Sequence, residues 1–338
     1  MSPNPPERDQ FDPLEFAGEL GRTRQDASAP PDDLDNASSP QPLQTEEPTA
    51  ENWTPEEIYC VYEPALAQLP PRLVPNIGHV VLFFVLALVL LGVGQVLGIY
   101  LIEHLRVFGH RSFDTLAQLA DDDARLSIPI QALSYGLIAL VVIPVFSLLW
   151  DEPFGKGVHW KGKTARRRFV ALALLGLAAG FGINFFGNFL PMPRDPPIMQ
   201  AMLKTPLGAW MMLIFGVTAA PMLEELAFRG FLLPGLVNGF RWLSSKGAIS
   251  EHAARWVGIP VSILVTSFCF ALMHSAQVSH AWGPLVLIGT VSVVLCIVRL
   301  AMNSVAAGVI VHAAYNFTLF AAVLVETGGF RHLEKLTM

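Results

Sequence analysis

Pro221-Met-Leu-Glu-Glu-Leu-Ala-Phe-Arg-Gly230 sets three charged side chains, Glu224, Glu225 and Arg229, inside an apolar stretch running from about 207 to 236. An ionised side chain at the centre of a bilayer-spanning helix costs roughly 2.5–3.5 kcal/mol on insertion scales. Three within six residues therefore need partners, and the surrounding sequence decides which. Six further apolar stretches lie near 79–102, 127–150, 168–190, 256–276, 283–302 and 304–325. About 20 helical residues cross the hydrocarbon core, so each stretch is long enough to span it. The pattern predicts an all-α, polytopic transmembrane bundle of about seven spans over residues 79–325. The division between the last two spans rests on the tight joint at Met302-Asn303.

The composition agrees. Charged residues make up 15% of the 338-residue chain against 52% hydrophobic, with a mean hydropathy of +0.47. Soluble domains run near one quarter charged. The net charge of −6 conceals a division: residues 1–75 hold 15 Asp and Glu against 4 Arg, and the remainder is net basic. Residues 1–53 are rich in Pro, Ser, Asp, Glu and Gln and poor in aliphatic side chains, which predicts a disordered acidic tail. Residues 54–78 form a juxtamembrane segment. Within it Thr54-Pro55-Glu56-Glu57 has the form of a capping box, predicting a helix over 55–68. Residues 326–338 are read as a C-terminal tail. No signal peptide is expected at the polar N-terminus. No basic patch interleaved with aromatics occurs, so nucleic acid is not an expected partner. Cys60, Cys269 and Cys296 have no metal-ligand spacing and read as small core residues.

Lys and Arg concentrate in loop 151–168 (Lys156, Lys161, Lys163, Arg166, Arg167 and Arg168) and in loop 237–255, whereas loop 277–282 has none. By the positive-inside rule the N-terminal tail is cytoplasmic and the C-terminus lies across the membrane, the cell inner membrane being the expected location. Gly176 and Gly180 form a small-xxx-small pair suited to close helix packing.

Interior ionisable groups are placed in the fourth, fifth and seventh stretches: Glu224, Glu225 and Arg229, then His274, then His312. Glu225 and Arg229 are one helical turn apart and read as an ion pair. Glu224 points about 100° away and reads as the working carboxylate. Pro221 is expected to break the helix just before them. Phe270 lies one turn before His274, and Asn316 one turn after His312 on a face continued by Ser304 and Gly308. His280 is a reserve candidate. A carboxylate, two imidazoles and an amide converging from three helices can activate water and stabilise an oxyanion.

These motifs, Glu224-Glu225-x-x-x-Arg229, Phe270-x-x-x-His274 and His312-x-x-x-Asn316, resemble the CPBP family of intramembrane proteases. That family includes the type II CAAX prenyl endopeptidases and bacterial Abi-type proteins. The resemblance covers about residues 205–320. It implies a water-containing cavity in a helical bundle and hydrolysis of peptide or lipidated protein substrates, with membrane lipids as surroundings. It also implies that the first glutamate activates water while the histidines and Asn316 orient it or stabilise the oxyanion. Glu224, His274 and His312 would make a His₂Glu zinc set. There is no His-Glu-x-x-His, and a metal-assisted and a metal-independent glutamate mechanism both stand. The alternative is a non-catalytic membrane protein of the same fold: a transporter, scaffold or immunity factor. A transporter would more often show internal repeats, and none is seen.

Overall fold

The computed structural model describes residues 73–193 and 204–336, all within one compact unit, Pro70–Met338. The acidic tail, the helix expected over 55–68 and Cys60 lie outside the described residues. Those residues are helical throughout, without strands, and seven helical segments are long and apolar enough to cross a membrane.

Helix α1 (Ile77–His104) starts at Asn76, whose side chain accepts from the His79 amide while His79 Nδ1 accepts from the Asn76 amide. A short helix α2 (Phe113–Asp122) leads to Asp123, which caps α3 (Ala124–Trp150) by accepting from the Arg125 amide. Two short helices, α4 (Phe154–Gly157) and α5 (Gly162–Arg167), make up the basic loop before α6 (Phe169–Gly187). The fourth span runs Pro206–Ser245, 40 residues, far more than a straight crossing needs. It is divided into α7 (Pro206–Val217), α8 (Ala219–Glu225), a π-helical turn (Leu226–Leu232) and α9 (Leu233–Ser245). The fifth span comprises α10 (Glu251–Ala253), a second π turn (Ala254–Gly258) and α11 (Ile259–Met273). The last two spans are α12 (Trp282–Met302) and α13 (Val305–Glu326). They are parted at Asn303, in the left-handed conformation at φ 44°, and Ser304, whose hydroxyl accepts from the Ala307 amide. Asparagine tolerates that conformation and serine is a favoured N-cap, so two residues suffice for the turn.

Small residues set the close crossings. A Cβ on Gly176 would run into the Val311 carbonyl, and one on Gly180 into the Thr318 hydroxyl, so this pair seats α6 on α13. Gly94 and Gly98, which the sequence reading passed over, do the same for α1 against Ser134 and Ile130 of α3. Outward-facing Val81, Val85, Leu88, Val89 and Val96 of α1 are each more than half exposed. Aliphatic surface on that scale fits a hydrocarbon surround rather than water. The protein is an integral membrane protein. Beyond α13 the chain folds back, and Phe330 is fully buried beside Ala209, Leu213 and Val323, edge-on to Trp210.

Candidate active site

Two prolines shape the fourth span. Pro221 has no N–H for the Val217 carbonyl and its ring crowds that oxygen. The helix accordingly breaks at Thr218 (φ −125°, ψ −84°), three residues before the proline rather than at it. The carbonyls freed there find other donors. Thr218 donates its hydroxyl to Ile214 and its amide to Phe215. Asn316 Nδ2, from α13, donates to Gly216 at 2.8 Å. Pro234 acts the same way further along. In the π turn the Leu233 amide donates to Phe228, five residues back. The next bond of that register would join residue 234 to the Arg229 carbonyl, and proline cannot donate it. Arg299 Nε supplies the donor instead, at 2.9 Å.

Arg299 corrects the sequence reading, which placed no ionisable group inside the sixth stretch. It is buried at 4% exposure, in α12. Two signals were available: Arg299 is charged within an apolar run, and Pro234 stands five residues after Arg229.

Glu225 and Arg229 are both fully buried. Arg229 Nη1 donates to Glu225 Oε1 at 2.9 Å, and its Nη2 donates to the Ser292 carbonyl and hydroxyl at 3.0 and 2.7 Å. Its guanidinium carbon lies 4.6 Å from the centroid of the Phe270 ring. The same Glu225 oxygen receives His312 Nδ1 at 3.0 Å. A Cβ on Gly308 would come within 2.5 Å of Glu225 Oε2, so the glycine makes the room this carboxylate occupies. The pair read from the sequence is present and ties α8, α12 and α13 together.

Glu224 faces another way. Its Oε2 lies 3.6 Å from His312 Nε2 and 3.9 Å from His274 Nε2. Both separations exceed a direct hydrogen bond and suit a bridging water. The other ring nitrogens fix the tautomers. His274 Nδ1 is 2.9 Å from the Phe270 carbonyl, which can only accept, so Nδ1 carries the proton. His312 Nδ1 likewise faces a carboxylate oxygen. Each imidazole thus presents Nε2 towards Glu224. The arrangement is open along the edge of Glu224 and His274, with side-chain exposures of 14% and 17%, and closed at His312, with 3%.

The sequence left open whether Glu224, His274 and His312 hold a zinc ion or act without one. Among the described residues no three His, Cys, Asp or Glu side chains are disposed to hold a metal ion. Glu224, His274 and His312 converge as a hydrogen-bonding group. His280 stands outside it, bonded through Nδ1 to the Ser275 hydroxyl at 2.7 Å. Asn316 is nearby in sequence to His312, but the structure shows its amide on the Gly216 carbonyl.

Residues 206–318 match the family model described as type II CAAX prenyl endopeptidase Rce1-like. The similarity to that family covers about a third of the chain. The match begins at the first residue of α7 and ends two residues past Asn316, so the CAAX-protease region encloses every residue of the site and leaves the first three spans outside. No curated protein and no solved structure matches the chain.

Proposed function

We propose that the protein is an intramembrane endopeptidase that cleaves membrane-associated or prenylated peptide substrates with a water activated by Glu224. The observation that carries this reading is the facing of Glu224 Oε2 by two imidazole Nε2 atoms at 3.6 and 3.9 Å. A water among three acceptors donates to two of them and keeps a lone pair for the scissile carbonyl. Glu224 takes the proton as the oxygen attacks, then delivers it to the leaving amine. Asn316 uses one amide N–H on Gly216 and keeps a second, which serves the developing oxyanion. His312 and His274 hold the water in line, each fixed through Nδ1. Glu225 and Arg229 position His312 and do not touch substrate. We place the Lys/Arg-rich loops, and with them the N-terminal tail, on the cytoplasmic side of the inner membrane.

The test is cleavage of a quenched peptide library, with and without a prenylated cysteine, by the full-length protein in detergent. The Glu224→Gln variant keeps the side-chain shape and loses the proton acceptor. Cleavage by the wild type that disappears in Glu224→Gln with folding unchanged is the expected outcome. Cleavage that survives the substitution would refute the mechanism.

A further inference from the structure

At the end of the bundle that carries the basic loop 151–168, a cavity of about 400 Å³ opens between α9 and α12. Its charged lining is His159, Arg241 and Arg299, and no acidic residue lines it. The catalytic carboxylate and imidazoles are not part of it. Arg299 is the informative member. It is buried like Arg229, at 4% exposure against none, yet its hydrogen-bond partners are all neutral: the Arg229 carbonyl, Asn303 Oδ1 at 3.0 Å and His159 Nδ1 at 3.4 Å. Arg229 has Glu225 as counter-ion; Arg299 has no carboxylate within ion-pair distance among the described residues. Glu225 acts on Arg299 only at a distance, so this buried cation has no contacting counter-ion, and a ligand anion would relieve it. Three of the five N–H groups on the guanidinium are committed, which leaves one on each terminal nitrogen.

The rest of the cavity fits the same ligand. Arg241 is exposed and held only by a long contact, 3.5 Å, to Asn238 Oδ1. His159 is locked in the left-handed conformation at φ 58°, with its carbonyl accepting from the Val305 amide. Burial, and then the charges of Arg299 and Lys161, hold the His159 imidazole below its ordinary pKa, with Glu152 opposing them. Leu233, Val237 and Leu300 give the cavity one aliphatic wall, and Asn238 and Asn303 add neutral polar lining. An acid-free basic pocket with one greasy wall, at the end of a membrane-spanning bundle, suits a phosphate that carries acyl chains.

We propose that this cavity is a binding site for an anionic phospholipid, its phosphate held between Arg241 and Arg299. The shared chemistry is a phosphate anion, and the lipid is the source that the aliphatic wall favours. The test uses the full-length protein in detergent and does not depend on catalysis. Thermal stability and native mass spectrometry are recorded with added phosphatidylglycerol, phosphatidylcholine or inorganic phosphate. The variants are Arg241→Glu, in the cavity, and Lys163→Glu, an exposed lysine of the same basic loop that does not line it. Phosphatidylglycerol should raise the melting temperature and remain bound at one per chain, and phosphatidylcholine should do neither. Arg241→Glu should weaken binding by about tenfold or more, with Lys163→Glu unchanged. Binding of inorganic phosphate but not of the lipid would overturn the lipid assignment. Failure of both probes, or an equal loss in both variants, would overturn the site.

Discussion

The two adjacent glutamates should fail in opposite ways, and the contrast can be worked from their surroundings. Replacing Arg229 with Leu removes the guanidinium paired with Glu225, a carboxylate with no solvent exposure. Stripping one partner from a buried ion pair typically costs about 3–5 kcal/mol, because the remaining charge is stranded. The two bonds to Ser292 are lost as well, so the upper part of that range is expected. Glu224 makes no hydrogen bond shorter than 3.5 Å and keeps 14% exposure, so Glu224→Gln should change stability by about 0.5 kcal/mol or less. Equilibrium unfolding in mixed micelles, followed by tryptophan fluorescence, measures both. Arg229→Leu should unfold far earlier than wild type, and Glu224→Gln should coincide with it while losing all cleavage. Adding Glu225→Leu to Arg229→Leu removes the stranded charge and should recover part of the loss, a non-additivity that a double-mutant cycle reads directly. The division of labour is refuted if Glu224→Gln destabilises as much as Arg229→Leu, or if the double variant is less stable than Arg229→Leu alone.

Gly308→Ala puts a methyl 2.5 Å from Glu225 Oε2; overpacking of this kind costs about 1–3 kcal/mol, and the turnover number should fall as His312 is displaced. Arg299→Lys cannot serve the Arg229 carbonyl, Asn303 and His159 at once, so turnover should drop. Pro234→Ala, which restores an amide in register with that carbonyl, should recover part of it, and kinetics on the single and double variants decide the matter. Asp123 is held below the usual carboxylate range, chiefly by its side-chain bond to Arg125. A depressed folded-state pKa stabilises above the unfolded value, near 3.9, and that contribution disappears as pH falls through the folded one. Melting temperatures of wild type and Asp123→Asn should therefore differ by the equivalent of about 1 kcal/mol or less at pH 7, Asn being an equal cap and only the ion pair being lost, and begin to converge only as pH falls below about 4.

The seven spans were legible because lipid exposure demands long apolar runs, which leave a plain mark in the sequence. The ion pair was legible too, since Glu225 and Arg229 stand one turn apart. The break was misplaced because a proline disturbs the carbonyl four residues before it, and the chain yields where that carbonyl lies, at Thr218. Arg299 escaped notice for a different reason. Its function depends on a hydrogen bond that Pro234 fails to make, 65 residues away in sequence, and an absent donor leaves no periodicity. Residue types alone left a metal-assisted and a metal-independent reading of Glu224, His274 and His312 both open, because types do not carry distances.

Helix irregularity and chemistry are joined in this bundle by one physical need. Inside hydrocarbon a carbonyl without a donor is costly, so the irregularities at Pro221 and Pro234 each call for a side chain from elsewhere. The break before Pro221 frees the Gly216 carbonyl, which takes its donor from Asn316, one turn beyond His312. Pro234 takes its donor from Arg299, which grips the backbone of the residue that neutralises Glu225. The same bonds that make the broken helix tolerable therefore fix the depth and rotation of Glu224, Glu225 and His312. A straight helix in this position could carry the same charges, yet it would offer α12 and α13 no free carbonyl by which to hold them in register.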